Sequence, residues 1–118
     1  MKPVQQTRFG KSGNCIQACV ASILERPLEA IPDFLSAKTN PWLACQSWLD
    51  SQGYYLIGAS NCWMCAGIEF IAGGMGPRGI GHCVVMRDGK VIHDPHPDGR
   101  GILFVDLYLF IVRKERER

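Results

Sequence analysis

Residues 13–24 read GNCIQACVASIL, and within this stretch a polar loop changes directly into an apolar helical pattern. Asn14 is a residue type that often caps the first turn of a helix. The apolar side chains that follow recur at the three- and four-residue spacing of one helix face, namely Ile16, Cys19, Val20, Ile23 and Leu24. The pattern therefore predicts a helix from Cys15 to about Glu25, with Cys15 in its first turn.

The rest of the sequence predicts further helices up to about residue 51 and strands after it. Pro27 ends the first helix or opens a short second one, which Pro32 stops. Asn40 and Pro41 resemble a cap followed by proline at the first helical position, so we predict a helix that continues to about Ser51. Strands are predicted at about 54–58, 82–87, 90–93 and 102–112, whereas the glycine-rich run 73–79 is predicted to be a loop.

The order of these elements predicts the fold class. Helices come first and strands follow, and Asp88-Gly89 has the composition of a tight turn between two antiparallel strands. We therefore expect an α+β domain with N-terminal helices packed on an antiparallel β-sheet. The whole chain, residues 1–118, fits one domain of this kind.

Composition restricts the classes of function. The chain is 47% hydrophobic and 20% charged, which is typical of a globular protein. Its formal net charge of +2 is too small to indicate nucleic-acid binding, and the alternating Arg and Glu of residues 113–118 predict a solvated tail. No segment predicts a signal peptide or a membrane span, so we expect a cytoplasmic protein whose six cysteines are free thiols.

Three residues suggest nucleophilic catalysis. At a helix N-terminus the thiol of Cys15 would be stabilised as a thiolate by unpaired N–H groups and the helix dipole. His82 begins one strand of the predicted hairpin and Asp94 is expected on the partner strand, so that the two would lie near the same open end, roughly a cross-strand pair apart. A thiol, an imidazole and a carboxylate are a nucleophile, its base and the group that orients the base.

Each assignment has an alternative. Cys15 could be a buried structural thiol, as Cys19 is expected to be, and Asp94 could only initiate a turn before Pro95. His93 alternates to the opposite strand face from the site and is expected to point outward. His96, between two prolines, is expected in a surface loop from which it could still touch a substrate.

Cys62 and Cys65 form a pair with the two-residue spacing of many zinc ligands. A structural zinc site needs four ligands, and no second pair follows, although Cys83 or a histidine could complete the set. A redox motif is disfavoured because no clear helix follows the pair. We therefore expect no metal and no other cofactor, with a zinc-stapled binding domain as an alternative reading.

The segments Asn14-Cys15-x-x-Ala18-Cys19, Gly81-His82-Cys83 and 91–95 together resemble the papain-like cysteine peptidase superfamily. The nearest branch is the bacteriocin-processing, double-glycine leader peptidase-like group, and short chains of this appearance occur in bacteria and their phages. The resemblance runs from about Gln6 to Pro97. It implies a papain-like fold with Cys15 as nucleophile, His82 as general base and acid, and Asp94 as orienter.

The resemblance also implies an oxyanion-binding glutamine before the nucleophile. Gln6 is preferred over Gln5, and residues 10–13 would then have to loop out between Gln6 and Cys15. The implied activity is that of a cysteine-dependent hydrolase acting on a peptide or protein substrate, with cleavage of a peptide, isopeptide or side-chain amide through a thioester. The alternative is a catalytically silent papain-like module that binds a protein partner, such as a phage factor acting on a host protein.

Overall fold

The computed structural model of the protein describes residues 1–61 and 66–115. Within them two helices, α1 (Cys15–Leu24) and α2 (Pro41–Ser51), precede five strands. The strands are β1 (Tyr54–Ala59), β2 (Phe70–Met75), β3 (Gly81–Arg87), β4 (Lys90–His93) and β5 (Phe104–Arg113). Short 3-10 turns at Gly10–Ser12, Leu28–Ala30 and Phe34–Ser36 connect the N-terminal half.

The five strands form one antiparallel sheet in the order β1-β5-β2-β3-β4. Helix α1 packs mainly on β3, and α2 packs on β1. The core between helices and sheet is made of fully or almost fully buried side chains, among them Cys19, Val20, Cys45, Leu49, Ile71, Cys83 and Val85. The predicted α+β class is confirmed, with its N-terminal helices on an antiparallel sheet.

The glycine-rich segment 73–79 was predicted to be a loop, and this is wrong for its first three residues. Gly73, Gly74 and Met75 complete β2 and pair with both β3 and β5. A Cβ atom at Gly74 would lie only 2.0 Å from the carbonyl oxygen of Phe104. Glycine is therefore required here by the close approach of β5, where the register of the ladder shifts.

The β3–β4 hairpin has the predicted strands and turn. Asp88 and Gly89 both have positive φ, 52° and 75°, as a type I′ turn requires. The expectation that His93 points outward is wrong, because His93 is only 7% exposed and its Nε2 lies 2.7 Å from the carbonyl oxygen of Val4. The N-terminal arm covers this end of β4, and strand alternation alone does not reveal such a cover.

The segment before α1 is arranged by Asn14. This residue occupies the predicted cap position, but its side chain makes no capping hydrogen bond to the helix. Its Oδ1 instead accepts hydrogen bonds from the backbone N–H groups of Thr7 and Arg8, both at 2.9 Å. The intervening chain loops out through the 3-10 turn Gly10–Ser12, so that residues 6–8 lie beside the start of α1.

The C-terminal tail begins later than expected, because Arg113 is the last residue of β5 and Lys114 bonds to Asp50. Across the described part of the chain, we find no helix with the length and apolar character needed to cross a membrane.

Candidate functional site

Cys15, His82 and Asp94 come from three places in the fold and meet at one end of the sheet. Cys15 is the first residue of α1, His82 is the second residue of β3, and Asp94 directly follows β4. Because α1 packs on β3, the Cys15 thiol at the helix N-terminus and the imidazole of His82 line one cleft, and each shifts the pKa of the other. The structure thus brings together the three residues that the sequence singled out.

The His82–Asp94 contact is short and shielded from water. His82 Nε2 lies 2.7 Å from Asp94 Oδ1, and the two side chains are only 4% and 5% exposed. Since Nε2 is occupied by the carboxylate, Nδ1 is the ring nitrogen left for Cys15. The two residues do not form the expected cross-strand pair: β4 ends with His93 opposite Val85, so Asp94 reaches His82 from beyond the strand.

Asp94 is itself held by the backbone around it. Its Oδ1 also accepts a hydrogen bond from the N–H of His96 at 3.0 Å, and its Oδ2 accepts one from the N–H of Gly101 at 2.7 Å. These bonds fix the carboxylate through the loop that follows β4. A carboxylate fixed in this way can hold the imidazole in one orientation and stabilise its charged form.

The surroundings of Cys15 favour its thiolate. Its pKa falls from the ordinary 9.0 to about 5, chiefly because the thiol of Cys83 hydrogen-bonds to it. Burial opposes this change, whereas the hydrogen bond and charge of His82 and the backbone N–H of Cys83 add to it. Cys15 also keeps part of its surface exposed, so that a reagent can reach the sulfur.

His82 experiences opposing influences. Burial lowers its pKa, but the hydrogen bonds with Cys15 and Asp94 and their negative charges raise it, and the net result is a raised pKa. A lowered thiol pKa next to a raised imidazole pKa favours the thiolate–imidazolium pair over two neutral groups.

Gln6 lies at the same site, whereas Gln5 is exposed. The backbone N–H of Gln6 donates to the carbonyl oxygen of Pro95 at 2.9 Å, which fastens the N-terminal arm beside the loop after β4. Its side chain is 6% exposed, and Nε2 donates to the carbonyl oxygen of Arg8 at 2.8 Å. Its Oε1 is buried and receives no hydrogen bond from the described residues.

A cleft of about 610 Å³ opens over these residues. The glycine-rich end of β2 and the turn after it form one wall, and the 3-10 turn before α1 forms another. Trp42 and Leu107 add apolar surface, and Lys11 and Arg78 add positive charge. The cleft therefore offers room, an apolar lining and a thiol with a lowered pKa, and an apolar lining with a few polar groups is the general composition of a ligand site.

His96 and Cys83 also line the cleft, although neither was predicted to be a member of the catalytic group. His96 lines the cleft and places its ring 6.2 Å from that of His82, centroid to centroid, in an edge-to-face arrangement. Its Nδ1 accepts a hydrogen bond from the backbone N–H of Asp98 at 3.1 Å, which leaves Nε2 as the ring nitrogen able to donate. Cys83, which the sequence suggested only as a possible zinc ligand, is the largest single cause of the lowered pKa of Cys15.

At the mouth of the cleft, next to His96, the carboxylate of Asp98 forms ion pairs with two arginines. Asp98 pairs with Arg78 at 2.7 Å and with Arg100 at 3.2 Å. Its pKa falls to about 2, first through the backbone N–H of Arg100 and then through the charged partners, although burial opposes the change. The Arg78–Asp98 pair links the turn after β2 to the loop after β4, which are two sides of the cleft mouth.

The remaining cysteines separate into two groups. Cys19 and Cys45 are fully buried, and burial raises the pKa of each thiol, that of Cys45 to about 12. They pack in the core as the sequence predicted for Cys19. Cys62 and Cys65 lie outside the described residues, and among the residues that are described no group of three or more His, Cys, Asp or Glu side chains is arranged to hold a metal ion.

No family model, curated protein or solved structure matches this chain.

Proposed function

We propose that the protein is a cysteine-dependent acyl-transfer hydrolase of papain-like design, which cleaves an amide bond through a thioester on Cys15. One observation carries the proposal: a partly exposed thiol with a lowered pKa shares a cleft with a histidine whose Nε2 is 2.7 Å from a buried carboxylate. A purely structural thiol needs neither partner. The combination is what nucleophilic catalysis by cysteine requires.

The reaction would proceed in two halves. The Cys15 thiolate attacks the carbonyl carbon, and the His82 imidazolium then gives its proton to the leaving amine as the C–N bond breaks. A water molecule next gives a proton to His82 and attacks the thioester, which releases the acid and restores the thiolate. Asp94 keeps the ring aligned and supports its positive charge in both halves.

The negative charge that develops on the carbonyl oxygen needs donors. The first helical hydrogen bond of α1 runs from Ala18 N–H to Asn14 at 3.1 Å, so the N–H groups of residues 15–17 have no helical carbonyl to bind. The N–H of Cys15 is therefore a suitable oxyanion donor. Gln6 Nε2 carries a second hydrogen besides the one it gives to Arg8, and this is the other donor that we propose.

The test uses p-nitrophenyl acetate, an activated ester that does not require the natural substrate to be known. Wild-type protein should release p-nitrophenol, acquire one acetyl group on Cys15 by mass spectrometry, and lose it again by hydrolysis. Cys15→Ser should abolish this turnover, and His82→Ala should slow it by at least about a hundredfold. Cys19→Ala, one helical turn away and buried, is the matched control and should retain turnover.

Acetylation of Cys15 without release of acetate would contradict the proposal and support a catalytically silent module. Turnover that survives in Cys15→Ser would show that another group is the nucleophile.

A further inference from the structure

We propose that Cys15 and Cys83 form a peroxide-responsive dithiol, in which hydrogen peroxide oxidises Cys15 and Cys83 then closes a reversible disulfide inside the cleft. The proposal rests on the reactive Cys15 of the proposed function and adds a modification site to it. It starts from an arrangement that hydrolysis does not need, namely a second free thiol that lines the same cleft as Cys15.

The two thiols come from different elements but share one site. Cys15 is the first residue of α1, Cys83 is the third residue of β3, and both line the cleft. Each thiol is the largest single influence on the pKa of the other, and both are free thiols. A disulfide between them therefore requires two neighbouring sulfurs to approach to about 2.05 Å, without the joining of distant parts of the fold.

Exposure determines which thiol reacts first. Cys15 is partly exposed, whereas Cys83 is only 5% exposed and sits in the core between α1 and the sheet. Peroxide reacts with thiolates, and Cys15 has the lowered pKa, whereas the pKa of Cys83 is raised well above 9.0. Cys15 is thus the sulfur that attacks peroxide, and Cys83 remains a protonated thiol during this step.

The chemistry balances with hydrogen peroxide as the oxidant. The Cys15 thiolate attacks one peroxide oxygen, the O–O bond breaks, and the leaving hydroxide takes a proton from the His82 imidazolium to become water. Cys15 is then a sulfenic acid. The Cys83 sulfur gives its proton to His82 and attacks the Cys15 sulfur; the S–O bond breaks, the S–S bond forms, and the released hydroxide takes that proton and leaves as a second water.

The first step prepares the second. The main cause of the high pKa of Cys83 is its hydrogen bond to the Cys15 anion; burial comes next, followed by the charge of Cys15. A sulfenic acid at Cys15 carries no such charge, so two of these causes disappear after oxidation. The pKa of Cys83 then falls, and its thiolate becomes available when the electrophile has formed.

Peptide mapping of the full chain tests the proposal directly. The protein is treated with a small excess of hydrogen peroxide, its remaining thiols are blocked, and it is digested with trypsin. Peptide 12–38, which holds Cys15 and Cys19, should be joined to peptide 79–87, which holds Cys83. Dithiothreitol should separate the two peptides and restore p-nitrophenyl acetate turnover.

Two variants sharpen the result. Cys83→Ser keeps a hydroxyl donor for Cys15 but no second sulfur, so Cys15 should proceed to sulfinic acid and resist dithiothreitol. Cys19→Ala should still join the two peptides, which assigns the bond to Cys15. A melting curve of Cys83→Ser checks that it is folded, and the wild-type map decides the question even if it is not.

The proposal is overturned if wild-type Cys15 accumulates sulfinic acid, or if Cys15 pairs with Cys19. These outcomes are separable from the fate of the hydrolase. If the two peptides are joined but the protein does not turn over p-nitrophenyl acetate, the proposed function is wrong and the dithiol stands. If the protein turns over the ester but peroxide inactivates it irreversibly, the hydrolase stands and the dithiol is wrong.

Discussion

The reactivity of Cys15 towards iodoacetamide should depend on pH as a thiol with a pKa near 5 requires. Cys15 has an ordinary pKa of 9.0 and a pKa of about 5 in the folded protein. At about pH 6 the thiolate fraction is then about nine-tenths, compared with about one-thousandth for an unperturbed thiol. The gain in thiolate is therefore nearly a thousandfold.

Part of this gain is lost because a less basic thiolate is a weaker nucleophile. With a Brønsted coefficient of about 0.4–0.5, a fall of four units in pKa reduces the intrinsic rate by about forty- to a hundredfold. The net expectation is that Cys15 reacts about ten times faster than a free cysteine at about pH 6. Its rate should level off above that pH and decline below the pKa.

The variants separate the causes of the shift. Cys83→Ala removes the largest single cause of the lowered pKa of Cys15, and His82→Ala removes the imidazole's hydrogen bond and its charge, each of which is a smaller cause. Both midpoints should rise, that of Cys83→Ala further, whereas Cys83→Ser should stay close to wild type because its hydroxyl still donates. The assay is the rate of Cys15 labelling, followed by mass spectrometry of peptide 12–38 across the pH range.

A wild-type midpoint near 9.0 would refute the reasoning outright, since the site would then provide no thiolate. A larger shift in His82→Ala than in Cys83→Ala would show that the ion pair, and not the thiol hydrogen bond, sets the pKa. Slow and uniform labelling of all the cysteines would favour the silent binding module.

Three further predictions follow from the same geometry. Asp94→Asn should move the alkaline limb of the p-nitrophenyl acetate pH profile to lower pH. Burial lowers the pKa of His82, and its hydrogen bonds with Cys15 and Asp94 raise it, so the variant loses one of the influences that keep the imidazole charged. An unchanged limb, with activity lost instead in Asp98→Asn, would mean that Asp94 is not the residue that orients His82. Gly74→Ala should cost at least about 1–3 kcal/mol of unfolding free energy, because its Cβ would meet the Phe104 carbonyl, whereas Gly58→Ala, whose nearest atom is a Leu109 methyl at 3.8 Å, should change stability by less than about 1 kcal/mol in urea titrations. Burial raises the pKa of Cys45 to about 12, above the 9.0 of the unfolded chain. The contribution of the neutral thiol to stability is therefore complete below pH 9.0 and declines as the pH rises towards 12. Cys45→Ala should reduce this alkaline loss of unfolding free energy in denaturation curves, and an unchanged pH dependence would contradict the assignment.

Local sequence signals predicted most of the elements. Asn40 and Pro41 marked the start of α2, Asp88-Gly89 marked the hairpin turn, and the apolar spacing of α1 placed Cys15 at its first residue. These signals act within a few residues, so they can be read without knowledge of the tertiary structure. The same reading brought His82 and Asp94 to one end of the hairpin, although not by the direct pairing that was expected.

The sequence-based predictions were wrong where contacts with distant segments determine the structure of a residue's surroundings. Glycines at 73 and 74 indicate a loop by composition, yet the close approach of β5 makes glycine necessary in a paired strand. His93 has the alternation of an outward residue, but the carbonyl of Val4, 89 positions away in the chain, covers it. The placement of Cys15 and Cys83 in one cleft likewise depends on how α1 packs on β3, and no local pattern encodes that packing.

The site is built largely on regular elements. Adjacent residues of β3 supply the imidazole of His82 and the thiol of Cys83, and the first residue of α1 supplies the Cys15 thiol, whose pKa both of them lower. A serine at position 83 would also donate a hydrogen bond to the thiolate, but it could not form a disulfide. In the proposed dithiol, the Cys83 thiol therefore has two effects. It lowers the pKa of Cys15, and it can form a disulfide with Cys15 after peroxide has oxidised that residue. Any substitution that separates the two, as Cys83→Ser does, should keep the nucleophile reactive and remove its protection.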